Sequence, residues 1–474
     1  MMRRLFMTAA AMLGLPCANP MAADVLAQTT PETRPPNVII ITADDLGYAD
    51  LSSYGHPTIQ TPTLDKLAAE GQRWTSFYAQ APVCSPSRAA LLTGRLHLRS
   101  GMFGRQTGVF FPDSLAGLPS DEVTLAEALS DMGYATGIIG KWHLGHLPMY
   151  LPTRHGFNYW YGIPYSNDMD WNLPDGLANR TAYFNPNVNY WQVPLIRNET
   201  VIERPAQQST ITRRYTEEAI RFIHDHKDEP FFLYVPHSMP HMPLFVSDAQ
   251  RGRSAAGIYG DVIEELDWSV QQIIETLKAE GLEENTLVVF TSDNGPWLRF
   301  ETHGGSAGPL RDGKGTTFEG GMRVPGIFWW PGKIAPGVVQ DIGSSMDLFT
   351  TVVTIAGGTV PTDRPIDGVD LSPVLFGSGK NPRRTMAYYR MGELFAFRFN
   401  EHKVHFITEG RYTLGPPRTE HNPPLLFNLN VDPGERYNVA AVHPDILEEV
   451  LAAVEQHRAM MTIAEPLFDL RSPP

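Results

Sequence analysis

The chain has 474 residues, of which 42% are hydrophobic, and this content is enough to build a sizeable core. Its 52 acidic residues outnumber its 38 basic residues, which gives a formal net charge of −14. That charge argues against general nucleic-acid binding, because such binding needs a basic surface that neutralises phosphates. An anionic substrate would need a pocket of locally positive charge.

The N-terminal segment has the pattern of an export signal. A basic start precedes a short apolar run, and small residues typical of a cleavage site follow it. We predict that residues 1–27 are an export signal peptide and that the mature protein is periplasmic or secreted. No transmembrane segment is expected, because no apolar run reaches the ~20 residues that a spanning helix needs. Loss of Cys17 with the signal would leave Cys84 as the single cysteine and exclude an internal disulfide.

The segments that follow alternate between strand and helix patterns. Continuous apolar runs predict buried strands, at residues 38–42, 135–140, 231–235, 287–291 and 324–330. Spacing by threes and fours, caps and glycine stops predict helices, at residues 63–71, 124–133, 211–226, 258–277 and 346–356. Thr63 is the expected N-cap of the first helix, and Thr124 opens a capping box at the second. This alternation is typical of a mainly parallel α/β sheet flanked by helices.

Two regions depart from the alternation. Residues 157–205 are rich in Asn, Pro, Tyr and Trp without clear periodicity, and we predict long loops over the site there. Beyond residue 376, short apolar runs separated by turns predict a small antiparallel sheet, closed by a helix over 444–457. We therefore expect a catalytic α/β domain over 34–375 and a smaller C-terminal α+β subdomain over 376–474.

Polar side chains follow four of the predicted strands directly. They are Asp44 and Asp45, Lys141 and His143, His237 and His241, and Asp293 and Asn294. Ligands of such folds bind at the carboxyl ends of the strands, so we expect these residues to gather at one edge of the sheet.

Four of these residues supply only oxygen ligands: Asp44, Asp45, Asp293 and Asn294. Each pair alone also fits an ordinary turn, because Asp, Asn and Gly are frequent turn residues. Their shared position after separate strands favours a site for a hard divalent cation. Flexible carboxylate ligands favour Ca²⁺, and Mg²⁺ is the next candidate.

Cys84 precedes a proline turn that opens a short Ala/Leu helix. A nucleophile at this position would lie beside a helix N-terminus, where backbone N–H groups favour negative charge. A free cysteine alone is more often a buried packing residue.

The residues from Cys84 to Arg88 fit the pattern C-x-P-S-R, which resembles the modification motif of the sulfatases. Similarity to this family extends from Asn37 to about Asn438 and favours the arylsulfatase A branch. It implies an alkaline-phosphatase/sulfatase-like α/β fold and a cysteine that a maturation enzyme oxidises to formylglycine. The hydrated aldehyde would offer one hydroxyl to attack sulfur and a second to expel sulfate, which is covalent catalysis with a return path.

The resemblance also implies roles for the other site residues. Arg88 would hold the formylglycine oxygens, while Lys141 and Lys314 would clamp sulfate oxygens. His143 would be the base that helps to release sulfate, and His241 would protonate the departing alcohol. Positions near the substrate are implied for Ser166, His237 and His421. The metal residues match a calcium site in the family, which the converted Cys84 would join.

Three functions remain open at this point. The first is hydrolysis of a sulfate ester through sulfated formylglycine. The second is hydrolysis of a phosphate or phosphonate ester, because a metal and two lysines suit any tetrahedral oxyanion. The third is non-catalytic binding of sulfated glycans with Cys84 unconverted. Trp297, Arg299 and Phe300 are expected on the leaving-group side, whether the substrate is an aryl, sugar or lipid sulfate.

Overall fold

A ten-stranded sheet forms the centre of residues 34–473, the part of the chain that this computed structural model describes. In chain order its strands are β1 (Asn37–Ala43), β2 (Gln72–Tyr78), β3 (Ala135–Ile139), β4 (Tyr159–Gly162), β5 (Leu195–Arg197), β6 (Thr200–Glu203), β7 (Phe231–Pro236), β8 (Thr286–Ser292), β9 (Arg323–Trp329) and β10 (Gly337–Ser344). They pair in the order β10-β2-β9-β8-β1-β7-β3-β4-β5-β6. The predicted export signal, residues 1–27, lies outside the described residues.

The five strands β8, β1, β7, β3 and β4 are adjacent and parallel. Strand β9 is antiparallel to both β8 and β2, and β5 and β6 continue the other edge in antiparallel fashion. The prediction of a mainly parallel sheet is confirmed at the centre, and antiparallel strands make the complete sheet mixed. All five predicted strands are present.

Helices cover both faces of the sheet. In the described residues they are α1 (Pro62–Glu70), α2 (Cys84–Thr93), α3 (Leu125–Ser130), α4 (Asn179–Phe184), α5 (Ile211–Asp225), α6 (Gly257–Ala279), α7 (Glu319–Met322), α8 (Asp347–Ile355), α9 (Ser372–Leu375) and α10 (Pro444–Met460). Alternate residues of β1 serve the two faces: Ile39 and Ile41 pack in one core cluster, Val38 and Ile40 in the other. This is why β1 is apolar throughout and fully buried.

The starts of two helices test the capping predictions. The capping box of α3 is confirmed: Glu127 N donates to Thr124 Oγ1 at 3.1 Å, and Thr124 N donates to Glu127 Oε2 at 2.7 Å. Thr63 is not the N-cap of α1, which begins at Pro62. Instead Asp267 of α6 accepts hydrogen bonds from the amides of Thr63 and Leu64 at 3.1 and 2.8 Å. A side chain from another helix thus replaces the local cap.

The segment 157–205 is more ordered than predicted. It contains the edge strands β4, β5 and β6 and the short helix α4. These strands have three or four residues each, which is too few for a periodic pattern to show in the sequence. Strands β2 and β10 were also missed, because polar residues interrupt both of them.

The C-terminal part forms a second sheet, as expected. Its antiparallel strands are β11 (Thr385–Arg390), β12 (Glu393–Phe399), β13 (His402–Thr408) and β14 (Thr419–Asn428). Helix α10 joins the same apolar cluster through Val450 and Val454. The boundary between residues 375 and 376 stays a prediction. No helix within residues 34–473 combines the length and the apolar character that a membrane span requires.

Candidate active site

Four adjacent parallel strands, β8, β1, β7 and β3, end at one edge of the sheet and carry the predicted polar residues. Asp45 N donates to Asp293 Oδ1 at 3.2 Å, and Asn294 Nδ2 donates to Asp45 Oδ1 at 2.7 Å. Asp45 has a φ of 69°, so the backbone turns sharply just after β1. These contacts hold acidic residues from two strands together, fully shielded from solvent.

Cys84 is the first residue of α2 and lies beside the acidic residues. Its Sγ is 3.5 Å from Asp44 Oδ1, and the residue is 1% exposed. Ligand atoms of Asp44, Asp45, Cys84 and His241 all lie within 4.8 Å of one another. Burial raises the pKa of the Cys84 thiol well above its ordinary value, so the unmodified side chain stays protonated.

Arg88 lies one helical turn after Cys84 and joins three strand ends. Its Nε donates to Asp293 Oδ2 at 2.9 Å, and its Nη1 donates to the Lys141 carbonyl at 2.7 Å. Its Nη2 is 3.8 Å from Asp44 Oδ2. A buried guanidinium is tolerated only when it is paired, and here two carboxylates and one carbonyl surround it.

Two lysines contact the carboxylates from different sides. Lys141 Nζ donates to Asp44 Oδ2 and to Ser166 Oγ, each at 2.7 Å. Lys314 Nζ donates to Asp45 Oδ2 at 2.7 Å and lies 4.3 Å from the centre of the Trp297 ring. The positive charges of both lysines also act on the Cys84 thiol.

The charges of the site are balanced without a metal ion. Three buried carboxylates face three buried cations, namely Asp44, Asp45 and Asp293 against Arg88, Lys141 and Lys314. Burial is the largest influence on Asp44, but Lys141 and the other nearby positive charges outweigh it and hold its pKa below the ordinary value. Burial raises the pKa of Asp45 to about 7, against the effect of Lys314. The nearby cations therefore stabilise the charged form of Asp44 more strongly than that of Asp45.

The residues present fit a divalent cation. The buried Asn294 Oδ1 has no hydrogen-bond partner among the described residues, so one oxygen is left for a ligand. Oxygen donors dominate the set, as Ca²⁺ and Mg²⁺ require. A divalent ion would also give the balanced site a net positive charge, which an anionic substrate needs.

Two histidines each have one nitrogen committed to a carbonyl. His143 Nε2 lies 2.9 Å from the Phe110 carbonyl, and His241 Nδ1 lies 2.7 Å from the Met242 carbonyl. A carbonyl only accepts, so these nitrogens carry the protons. His143 Nδ1 has no hydrogen-bond partner among residues 34–473, and His241 Nε2 is 3.7 Å from Asp45 Oδ2. Burial lowers the pKa of both rings well below the ordinary value.

The three predicted substrate residues fall in different places. Ser166 contacts Lys141 and so belongs to the cluster. His237 lies 3.4 Å from Ser269 Oγ, and burial lowers its pKa to about 4. His421 on β14 is bonded to Thr408 Oγ1 at 2.8 Å. In the described residues no hydrogen bond or ion pair joins His237 or His421 to the acidic residues, and their substrate roles stay predictions.

Sequence reasoning missed two residues of this site. Asn167 Oδ1 is 2.9 Å from His241 Nδ1, and Asn167 Nδ2 donates to the Pro243 carbonyl at 3.1 Å, so this side chain fixes the ring. The Tyr412 ring lies 5.3 Å from Trp297, on a turn with a φ of 56°. Neither stands in a recognisable local pattern. Only the adjacency of Asn167 to Ser166 offered a signal.

The site combines an oxygen-rich cation pocket, two lysines and two histidines that each have one uncommitted nitrogen. This combination defines a hydrolase of anionic esters, because it can bind a tetrahedral oxyanion and move protons on both sides of it. The sulfatase family pattern matches residues 36–358, and the pattern for the C-terminal region of aryl-sulfatase matches residues 381–472. The chain belongs to the sulfatase family and hydrolyses sulfate esters.

Individual relatives agree with this assignment. The chain is 44% identical to arylsulfatase A of Bos taurus over 89% of its own length and 87% of the relative. It is 40% identical to N-acetylgalactosamine-6-sulfatase of Sus scrofa, over 93% and 89% respectively. Among solved structures, the PsFucS1 sulfatase from Pseudoalteromonas sp. matches with a TM-score of 0.80 and 29% identity, over 93% of this chain and 92% of that one. The family implies a formylglycine and a divalent metal.

Proposed function

We propose that this sulfatase cleaves sulfate monoesters with a formylglycine formed from Cys84 and with Ca²⁺ as its metal. The observation that carries the proposal is the 3.5 Å contact between Cys84 Sγ and Asp44 Oδ1 inside the buried acidic set. Asp44, Asp45, Asp293 and Asn294 would hold the ion, together with the converted residue 84. The ion would supply positive charge that favours binding of the anionic sulfate, and Mg²⁺ is the competing candidate.

The formylglycine, once hydrated, supplies a hydroxyl nucleophile and a second hydroxyl that allows sulfate to leave. The protein's own residues orient and bind around it. Arg88 is held by Asp293, and its guanidinium would hydrogen-bond the oxygens of the converted residue 84. Lys141 and Lys314 exchange part of their contact with the carboxylates for contact with sulfate oxygens. Ser166 keeps the Lys141 ammonium in place from the opposite side.

The two histidines move protons at different atoms. His143 Nδ1 has no hydrogen-bond partner among the described residues, so it would be free to accept a proton from a hydroxyl of the converted residue 84. His241 Nε2 would donate a proton to the departing alcohol from the doubly protonated ring, a form that the neighbouring carboxylates of Asp44 and Asp45 favour. Asn167 and the Met242 carbonyl fix the ring through Nδ1. General acid–base catalysis of this kind contributes typically ~10²- to 10⁴-fold to the rate.

A comparison of esters tests the proposal. We expect a higher kcat/KM for p-nitrophenyl sulfate than for the matching phosphate and phosphonate esters, because the chain belongs to the sulfatase family. Cys84→Ala abolishes turnover, and an unchanged melting curve serves as the folding control. A clear preference for phosphorus esters would reject the sulfate assignment in favour of the phosphate and phosphonate alternative. Turnover by protein whose thiol is fully unconverted would reject the formylglycine.

Two further proposals concern maturation and location. A formylglycine-generating maturation enzyme of the host converts Cys84, since a buried thiol does not become an aldehyde unaided. The pattern of residues 1–27 supports export, and we propose a periplasmic or secreted location. Detection of the mature N-terminus after residue 20 or later in the exported fraction would support this location.

A further inference from the structure

A cavity of about 260 Å³ lies next to the candidate active site. It is lined by Trp171, Asn179, Arg180, Tyr183, Trp297, Arg299 and Phe300. Trp297 belongs to both places, because its ring centre is 4.3 Å from Lys314 Nζ and its ring lies 5.2 Å from that of His241. A group joined to a sulfate held by Lys314 would therefore enter this cavity past Trp297.

Aromatic rings form the walls of the cavity. Tyr183 packs against Phe300 at 5.0 Å, and Trp297 packs against Phe300 at 4.8 Å. Trp171 stands at the rim, 53% exposed, and contacts Tyr183 edge to face. The Tyr183 hydroxyl donates to Asp168 Oδ2 at 2.8 Å, which fixes the ring. Ordered aromatic faces of this kind suit the apolar face of a sugar ring.

The two arginines of the cavity differ in their partners. Arg180 Nη2 is 3.0 Å from Glu301 Oε1 and its guanidinium lies over the Phe184 ring, so its charge is neutralised. Arg299 makes no ion pair and no side-chain hydrogen bond within residues 34–473. Arg299 lines the cavity, and its exposed side chain is accessible to a ligand there. An uncompensated positive charge stands out in a chain with a net charge of −14.

We propose that this cavity binds the leaving group of a sulfated saccharide that carries a second anionic group, and that Arg299 binds that group. The inference rests on the sulfatase function proposed above and names its substrate class. The planar guanidinium matches a carboxylate or a sulfate through paired hydrogen bonds. The volume is below the ~300–1,000 Å³ of drug-sized sites, so it suits one sugar residue, with further residues extending into solvent.

Kinetics of an Arg299→Gln variant test the proposal on three esters. These are p-nitrophenyl sulfate, a monosulfated hexosamine and the same hexosamine with a second sulfate. We expect the loss of kcat/KM to be about tenfold or more greater on the doubly sulfated sugar than on the other two, since a charged hydrogen-bond partner is removed. Arg213→Gln on α5 is the matched control: Arg213 is 50% exposed and paired with Glu217, and the three esters should keep their wild-type ratios.

Binding provides a readout that does not depend on turnover. Calorimetry on Cys84→Ala and on Cys84→Ala combined with Arg299→Gln should show an affinity for the doubly sulfated sugar that falls about tenfold with the second substitution. The subsite would be rejected if Arg299→Gln lowered kcat/KM equally on all three esters. It would also be rejected if the substitution left the affinity for the doubly sulfated sugar unchanged. If no ester is turned over while binding still depends on Arg299, the proposed catalytic function fails and the subsite stands.

Discussion

The side-chain oxygen of Asn294 is available to bind a metal ion. Its Nδ2 donates to Asp45 at 2.7 Å, while its buried Oδ1 has no partner among the described residues. A buried polar atom without a partner is costly, unless a ligand satisfies it. Arg88 is a similar case, since its Nε and Nη1 donate to Asp293 and to the Lys141 carbonyl, while its buried Nη2 has no hydrogen-bond partner among the described residues.

We predict that Asn294→Ala weakens metal binding more than it weakens the fold. In wild-type protein, treatment with EDTA should abolish sulfatase activity, and added Ca²⁺ should restore it at lower concentration than Mg²⁺. In Asn294→Ala the Ca²⁺ concentration for half-maximal activity should rise by at least tenfold, because one oxygen ligand is lost. The melting temperature without Ca²⁺ is the control and should fall only slightly. Full activity after complete chelation would contradict the metal assignment.

Among the helices, α1 is stabilised at its N-terminus by a residue that is distant in the sequence. The first amides of an α-helix have no partner within the helix. Asp267 of α6 accepts from two of them, and the N-cap of α1 is Thr61, two residues before the predicted Thr63. The Asp267 side chain is buried, and burial raises its pKa to about 6.

Replacement of Asp267 tests this tertiary cap. Asp267→Ala should lower the free energy of unfolding by about 1–2 kcal/mol, the usual cost of a lost N-cap. Asp267→Asn keeps one acceptor and should cost less. Urea denaturation followed by circular dichroism measures both values. Equal stability of the Ala variant and the wild type would mean that water replaces the cap without cost.

At the scale of the whole molecule, buried histidines make stability depend on pH. His155 is fully buried beside Trp142, and neither of its ring nitrogens has a hydrogen-bond partner among the described residues. Burial lowers its pKa to about 4. The unfolded chain takes up a proton at this residue below pH ~6.5, whereas the folded chain does so only near pH 4. Acidification through this window therefore favours unfolding.

His155→Phe should flatten this dependence. The variant keeps a ring against Trp142 but has no titrating group, so its stability at pH 7 should be close to that of the wild type. Between pH 6.5 and about 4 the wild type should lose up to roughly 1.4 kcal/mol per pH unit more than the variant. Urea midpoints at pH 7, 6 and 5 measure the difference. Parallel curves for the two proteins would show that His155 is not the source.

The sequence predicts the centre of the fold better than its edges. Strands β1, β7 and β8 are uninterrupted apolar runs, and parallel geometry then brings the residues that follow them to one place. Strand β10 is largely exposed and interrupted by polar residues, so its pattern is that of a loop. Asn167 and Tyr412 reach the site from loops, where no periodicity marks them. The conversion of Cys84 to formylglycine was inferred from the sulfatase motif alone, because the packing of a cysteine does not indicate such a modification.

Catalysis by this protein depends most directly on the chemical state of residue 84. Mass spectrometry of the peptide that contains residue 84, in protein from a host with the maturation enzyme, measures the fraction of chains that carry an aldehyde in place of the thiol. We predict that preparations of differing conversion show sulfatase turnover in proportion to that fraction. Undiminished turnover in a preparation that carries only the thiol would contradict the central claim.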